Sequence, residues 1–162
     1  MNDLPFRTRA ARLLAGALIL GLSSCKSPPA APEEQVRQSI ARIEALAAQR
    51  DIGSLKDFVS EQYRDGQGND KQQVAGVLTF YFYQHKSIYV FTRIGEITIL
   101  EPGKAQAVVL AALAGTPIAG AGDLAGARAD LYRFEFEFAE EEKELWRVTR
   151  AAWRPAAPGD FL

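Results

Sequence analysis

The spacing of apolar residues in this chain changes once, near Ser87, and that change limits the folds available to it. Before Ser87, Val36, Ile40 and Ile43 recur at the spacing that places side chains on one face of a helix. After Ser87, polar and apolar residues alternate, most clearly over 130–139. Alternation with a period of two is typical of a strand with one buried face. Helices followed by strands predict an α+β fold.

Three helices are expected in the N-terminal half of the chain, the first over 33–50. Asp51 is expected to cap a short second helix whose apolar face ends at Val59. Asp70 and Gln73 have the spacing of a capping box, which predicts a third helix over 71–85.

Four antiparallel strands are expected after the helices. They span 87–100, 105–114, 130–139 and 145–154. Gly95 is a candidate β-bulge, with Ile97 and Ile99 on the face opposite Ile94. The first two strands are apolar on both faces, so helices can cover only one of them. A subunit interface is one way to cover the other.

The segment 63–70 is rich in carboxylates, amides and glycines, which invites comparison with a calcium-binding loop. An EF-hand loop requires a glutamate at its twelfth position, and counting from Asp65 that position is Gly76. A glycine-rich turn that leads into the third helix explains the segment better. No metal site is predicted.

The segment Gly120–Ala125 has the loose Gly-x-Gly-x-x-Ala form of a dinucleotide-binding loop. Such a loop must join a strand directly to a helix, whereas an alternating strand follows this segment. No cofactor is predicted.

The N-terminus has the order of a bacterial secretory signal. Arg7, Arg9 and Arg12 precede an uncharged run over 13–22. As a helix, that run is about 15 Å long, half the thickness of a hydrocarbon core, so a permanent membrane span is not expected.

The run ends in Leu22, Ser23, Ser24 and Cys25, which resembles the lipobox of bacterial lipoproteins at every position. The resemblance implies a signal peptide over 1–24, cleavage before Cys25, a diacylglycerol thioether on its sulfur and a fatty acyl chain such as palmitate on the new N-terminus. Cys25 is the single cysteine of the chain, and acylation would consume a thiol that has no internal partner.

Residues 25–32 contain three prolines and are expected to form a stiff tether. Lys26 occupies the position where an aspartate in such lipoproteins signals retention in the inner membrane. Its presence favours the outer membrane, with the protein facing the periplasm. A single domain over 33–154 and a short tail over 155–162 complete the expected organisation.

The charge balance excludes an electrostatic nucleic-acid surface. Residues 1–24 carry three arginines and one aspartate, so their removal changes the net charge of the chain from −1 to −3. Nucleic-acid recognition would require a clearly basic face.

The order of helix, short helix, polar turn, helix and four strands resembles the nuclear transport factor 2-like superfamily, also called cystatin-like α+β cones. The closing strand, from Trp146-Arg147-Val148-Thr149 to Trp153, resembles the end of many such domains. The resemblance covers 33–154 and includes ketosteroid isomerase and the SnoaL-like cyclases. It implies a strongly bent sheet wrapped around two to three helices, a pocket in the mouth of the cone and frequent dimerisation through the sheet.

Three functions remain open from the sequence. The first is a non-catalytic module that binds a ligand or protein partner, with candidate pocket residues Tyr63, Tyr81, His85, Arg93, Tyr132 and Trp153. The second is an enzyme of the isomerase, cyclase or epoxide-hydrolase kind, which needs a carboxylate or histidine in an apolar pocket. The strand carboxylates available to it are Glu96, Asp130, Glu135 and Glu137.

The third function is docking on an envelope protein, or on a second copy of the chain, through the sheet. An exposed apolar patch over Ile88, Val90 and Ile94 would favour it. No residue is assigned as catalytic from the sequence.

The substitution Cys25→Ala tests the predicted anchor. Two or three acyl chains hold a protein firmly on a bilayer because each buried methylene contributes about 0.8 kcal/mol. We expect the native chain in the membrane fraction after cell lysis and the variant in the soluble fraction. Unchanged membrane retention of the variant would refute acylation at Cys25.

Overall fold

The computed structural model describes residues 30–162. The predicted signal peptide, the lipobox Leu22–Cys25 and all but the end of the tether lie outside the described residues.

The described chain contains three α-helices, five β-strands and three short 3₁₀ turns. The helices are α1 (Pro32–Gln49), α2 (Ile52–Leu55) and α3 (Lys71–Gln84). The strands are β1 (Val59–Asp65), β2 (Tyr89–Glu101), β3 (Lys104–Ala114), β4 (Ala129–Glu142) and β5 (Leu145–Pro155). The 3₁₀ turns are Lys56–Phe58, Ala121–Ala125 and Pro158–Phe161.

The apolar face of α1 is the main contact between the helices and the sheet. Val36 and Ile40 are buried against the same cluster as Phe138 and Trp146. Trp146 is fully buried, and its indole N–H donates to the side-chain oxygen of Gln35 at 2.8 Å. The first turn of α1 therefore satisfies the one polar atom of this large side chain.

Arg50 ends α1 in the left-handed conformation, with φ of 59°. Its guanidinium donates to the carbonyl oxygens of Phe82 and Lys86, at 2.5 and 3.0 Å. One side chain thus joins the end of α1 to the end of α3. The next residue, Asp51, caps α2 by accepting from the Ser54 amide, as the sequence predicted.

The five strands form one mixed sheet in the order β1-β5-β4-β3-β2. Neighbouring strands from β2 to β5 are antiparallel, as predicted, whereas β1 pairs in parallel with β5. The sequence prediction of about four strands missed β1, because Val59 was assigned to a helix and Tyr63 to a turn. Ser60, Tyr63 and Asp65 are the buried residues of β1, and two of them are polar, so the strand lacks an apolar alternation.

The predicted bulge in β2 is confirmed by the pairing of Ile94 with Val109 and of Ile97 with Ala107. Between these pairs, Gly95 and Glu96 of β2 therefore oppose the single residue Val108 of β3, and the additional residue returns Ile97 to the face that carries Ile94. The prediction that Ile97 and Ile99 face away from Ile94 was wrong for this reason.

The helices cover one face of the sheet, which we call the inner face. Phe134, Phe136 and Phe138 of β4 lie in the cluster on this side, as their alternation predicted. On the opposite, outer face, Phe161 is 1% exposed and packs with Leu110, Ala112 and Leu124. The predicted tail and the 3₁₀ turn Ala121–Ala125 therefore cover part of the outer face.

The acidic run at the end of β4, residues 140–142, connects β1 to the hairpin between β4 and β5. Glu141 accepts a hydrogen bond from the Ser60 hydroxyl and forms an ion pair with Arg147 at 3.1 Å. Arg147 also pairs with Glu142 at 2.8 Å and donates to the carbonyl oxygen of Asp57. The run is therefore part of the contact between these elements and not only a charged hairpin tip.

Asp65 organises the turn between β1 and α3, the segment that was compared with a calcium loop. Its carboxylate accepts from the backbone N–H groups of Gln67 and Asn69, both at 2.8 Å, and from the Asn69 side chain at 2.7 Å. Burial raises the pKa of the Asp65 carboxyl, but these hydrogen bonds outweigh that effect and the pKa lies below its ordinary value of 3.8. Asp70 and Gln73 then form the predicted capping box.

The substitution Asp65→Ala is expected to lower the free energy of unfolding by about 2 kcal/mol, because it removes hydrogen bonds to a buried charged group. The pKa of this carboxyl is lower in the folded than in the unfolded state. The contribution of the Asp65 carboxylate to the stability of the fold is therefore complete above pH 3.8 and is lost as the pH falls through the folded-state pKa. Urea unfolding between pH 3 and 7 measures both effects.

The matched control for this prediction is Asp57→Ala, which removes an exposed carboxylate from the preceding 3₁₀ turn. We expect it to leave the free energy of unfolding within about 0.5 kcal/mol of the native value. Equal effects of the two substitutions would contradict the role given to Asp65.

Candidate ligand-binding cleft

A cleft of about 300 Å³ opens where α3 ends and β4 begins. We call it the mouth cleft. It is lined by Tyr81, His85, Ser87, Ile88, Leu113, Ala114, Gly115, Arg128, Ala129 and Asp130. Pairing of Leu113 with Asp130 brings the end of β3 beside the start of β4. Polar groups from two elements therefore meet over an apolar floor.

Tyr81 joins the helix side of the mouth cleft to the sheet side. Its hydroxyl donates to a carboxylate oxygen of Asp130 at 3.1 Å. Burial raises the pKa of the Tyr81 phenol, and the negative charge of Asp130 raises it further. Tyr81 is therefore a neutral hydrogen-bond donor at physiological pH.

His85 lies directly after α3 and is fixed by two contacts. Its ring stacks on the ring of Tyr81, with a centroid distance of 4.2 Å. Its Nδ1 is 2.8 Å from the backbone carbonyl oxygen of Tyr81. Because a carbonyl oxygen can only accept, Nδ1 carries the hydrogen in this contact, and in the neutral ring the lone pair is then on Nε2.

Arg128 and Asp130 bring opposite charges to the mouth cleft. Asp130 accepts from Tyr81, whereas Arg128 forms no ion pair with any residue between 30 and 162. The cleft thus offers a cationic group at one point and hydrogen-bond acceptors at another.

The structure brings together two of the six candidate pocket residues, Tyr81 and His85. Tyr63 lies in the core instead, where it is 2% exposed, and burial raises its pKa to about 12. Trp153 packs against Phe134 in the same core cluster, with ring centroids 6.3 Å apart. Tyr132 follows Asp130 on the inner face and packs beside Phe134, with ring centroids 5.9 Å apart.

Arg93 lies on the outer face and does not reach the mouth cleft. It donates to the backbone carbonyl oxygens of Phe161 and Leu162, and so holds the C-terminal segment on the sheet. Of the candidate pocket residues, Arg93 is therefore not among those that line the mouth cleft with His85.

Sequence reasoning did not find Arg128 or Ser87. Neither lies in a motif, and both are placed in the cleft by the pairing of β3 with β4 and by the end of α3. Asp130 was found only as one of four strand carboxylates. The other three, Glu96, Glu135 and Glu137, line a separate depression of about 440 Å³ on the outer face, together with Arg150.

The three residues whose exposure would have favoured docking through the sheet do not form a patch on the open surface. Ile88 is buried, and Val90 and Ile94 pack against clusters on the inner face, beneath the helices.

Neither a metal site nor a membrane span is found in the part of the chain that the structure describes. No three metal-binding side chains are close enough there to hold an ion. None of the helices of residues 30–162 has both the length and the apolar character needed to cross a membrane.

Comparison with known proteins identifies the fold. No protein-family model matches the chain, and no curated protein sequence matches it. Among solved structures, an NTF-2-like protein of unknown function from Shewanella oneidensis superimposes with a TM-score of 0.57 at 13% identity, over 76% of this chain and 98% of that one. A ketosteroid isomerase-like protein from Erwinia carotovora atroseptica gives a TM-score of 0.57 at 10% identity, over 77% and 96%.

A third solved structure is longer than this chain. Bd1075 of Bdellovibrio bacteriovorus superimposes with a TM-score of 0.61 at 10% identity, over 76% of this chain but only 41% of that one. Identities this low establish the fold alone. The chain therefore has the α+β cone fold of the nuclear transport factor 2-like proteins.

Proposed function

We propose that this chain is a lipid-anchored module of the bacterial cell envelope that binds a small molecule with an anionic group in the mouth cleft without transforming it. The observation that carries the binding proposal is the convergence of Tyr81, His85, Arg128 and Asp130 on one open cleft. The anchor is supported by the lipobox Leu22–Cys25 and by Lys26, which favours the periplasmic face of the outer membrane.

The charges of the mouth cleft define the ligand. Arg128, which has no ion-pair partner among residues 30–162, fits a carboxylate or similar anionic group. Asp130 and the Nε2 of His85 are acceptors, so they fit a hydroxyl or amine on the same molecule. The volume of about 300 Å³ is at the lower end of small-molecule sites. A compact hydroxy or amino acid combines these properties.

Two features favour binding over catalysis. Acid–base catalysis gains most from a titratable group held in a pocket that excludes water, and Asp130 is exposed. The aromatic side chains that could form a deeper pocket, Phe134, Phe136 and Trp153, instead pack together in the core beneath the helices.

The substitution Arg128→Ala tests the proposed ligand site. With the full lipidated chain in detergent micelles, we expect saturation-transfer NMR to detect 4-aminobutyrate at millimolar concentration. The signal should fall at least fivefold in Arg128→Ala, because the anionic group loses its charged partner. Arg42→Ala, which removes an exposed arginine from α1, is the matched control and should keep the signal.

Butyrate is the matched ligand for this experiment, since it lacks the donor expected to meet Asp130 and His85. It should give a weaker signal than 4-aminobutyrate. The proposal is wrong if neither 4-aminobutyrate nor 4-hydroxybutyrate gives a signal, or if Arg42→Ala and Arg128→Ala reduce it equally.

One observation favours an enzyme as the second candidate function. His85 lines the mouth cleft with Nδ1 bound to a carbonyl oxygen, so in its neutral form the Nε2 atom could accept a proton from a bound substrate. An isomerase, cyclase or epoxide hydrolase would use such a base together with Asp130.

Deuterium exchange distinguishes the two candidates. Levulinate carries both a carboxylate for Arg128 and exchangeable protons beside a ketone. For a binding module we expect NMR in heavy water to show exchange at the buffer rate, with or without protein. If the native chain accelerates the exchange and His85→Gln abolishes this acceleration, the chain is an enzyme instead.

A further inference from the structure

α3 exposes a set of large apolar side chains that nothing in the described chain covers. Val77, Phe80 and Tyr83 are 52%, 63% and 83% exposed. They are three residues apart, so they share one side of the helix. We call this surface the α3 outer face. Gly76 and Gln84, which are also exposed, extend it without adding charge.

The composition of α3 is unusual for a helix on a protein surface in water. Its buried side is already apolar, because Val74 packs in one core cluster and Tyr81 and Phe82 pack in another. Its exposed side carries Val77, Phe80 and Tyr83 beside uncharged glutamines and Thr79, and α3 contains no acidic residue. A group of large apolar side chains exposed together is typical of a contact with protein or lipid.

A lysine lies at each end of α3. Lys71 begins the helix next to its cap Asp70 and pairs with Glu61 of β1 at 2.7 Å, so its charge is compensated. Lys86 follows the helix closely and can interact with a lipid phosphate. Aromatic residues flanked by lysines suit the interface between headgroups and acyl chains.

The chain leaves the domain on the side of the sheet that carries α3. Val36 of α1 and Val74 of α3 pack in the same inner-face cluster, and α1 begins at Pro32. Only residues 26–31 separate Cys25 from that helix, and at about 3.1 Å per residue a proline-rich segment of this length would reach about 19 Å. With Cys25 acylated, such a tether would keep the helix side of the domain at a high effective concentration beside the bilayer.

We propose that the α3 outer face docks on the lipid surface to which Cys25 tethers the domain. Phe80 and Tyr83 insert at the headgroup level, and Val77 contacts the upper acyl chains. This inference rests on the proposed lipid anchor, which supplies the proximity that such a small patch needs.

A single new cysteine tests the docking directly. Acylation consumes the Cys25 thiol, so Tyr83→Cys gives the full lipidated chain one site for a nitrobenzoxadiazole label. The matched control is Thr98→Cys, an exposed position on β2 far along the chain from α3. Both proteins are reconstituted in phosphatidylethanolamine and phosphatidylglycerol vesicles. A spin-labelled phosphatidylcholine quenches from the bilayer and iodide quenches from water.

We expect lipid quenching at position 83 to exceed that at position 98 at least threefold, with iodide giving the reverse order. Adding Phe80→Ser to the Tyr83→Cys chain should reduce lipid quenching towards the value at position 98. Equal iodide accessibility at both positions would overturn the docking.

Two further results separate the alternatives. The label at position 83 could be shielded from iodide in native envelope vesicles but accessible to iodide in vesicles of pure lipid. That result would mean that a protein covers the α3 outer face, and it would overturn the lipid proposal. Labelling of the unsubstituted chain at Cys25 would show a free thiol. That result refutes the anchor, and the docking that depends on it, whatever the accessibility of position 83.

Discussion

The contact between α1 and the inner face of the sheet is the interaction on which the rest of this structure depends. The chain has one cysteine, so no internal disulfide can stabilise it and packing must do so. Val36, Phe138 and Trp146 are buried together at this contact. Burial of each large apolar side chain contributes about 1.5–3 kcal/mol. Gln35 removes the cost of burying the indole N–H, so the same helix turn supplies both the apolar contact and its polar partner.

This contact also determines where a ligand can bind. Aromatic side chains from β4 and β5 occupy the space between the helices and the middle of the sheet. The remaining opening lies at the mouth, where α3 ends and the sheet extends past it. The cleft is therefore built from residues at the ends of elements, namely Tyr81, His85 and Asp130. Such positions can vary without disturbing the buried contact that holds the domain together.

Much of the fold could be predicted from the sequence because its strongest signals are periodic. β4 alternates cleanly, and α3 begins with a capping box, so both were located correctly. β1 was missed because its buried residues include the polar Ser60 and Asp65. These side chains hydrogen-bond to Glu141 and Asn69, so the strand carries no alternating apolar pattern. The role of Phe161 was also missed, since a single aromatic residue in a short segment has no period.

The cleft was less predictable than the fold. Tyr81 and His85 share a helical face and could be grouped from spacing alone, whereas Arg128 joins them only through the pairing of β3 with β4. Arg93 was placed wrongly because its strand offers two faces of similar apolar character, and alternation cannot say which one the helices cover. Local pattern identifies elements, but long-range register decides which side chains meet.

The hydrogen bonds of Arg50 have a consequence for the mouth cleft. Its guanidinium holds the carbonyl oxygens of Phe82 and Lys86, which lie on either side of His85 along the chain. The backbone that carries the His85 ring is thus secured at two points although it lies beyond the end of α3. A ligand bound there as we propose would not need to order this segment, which would reduce the entropic cost of association.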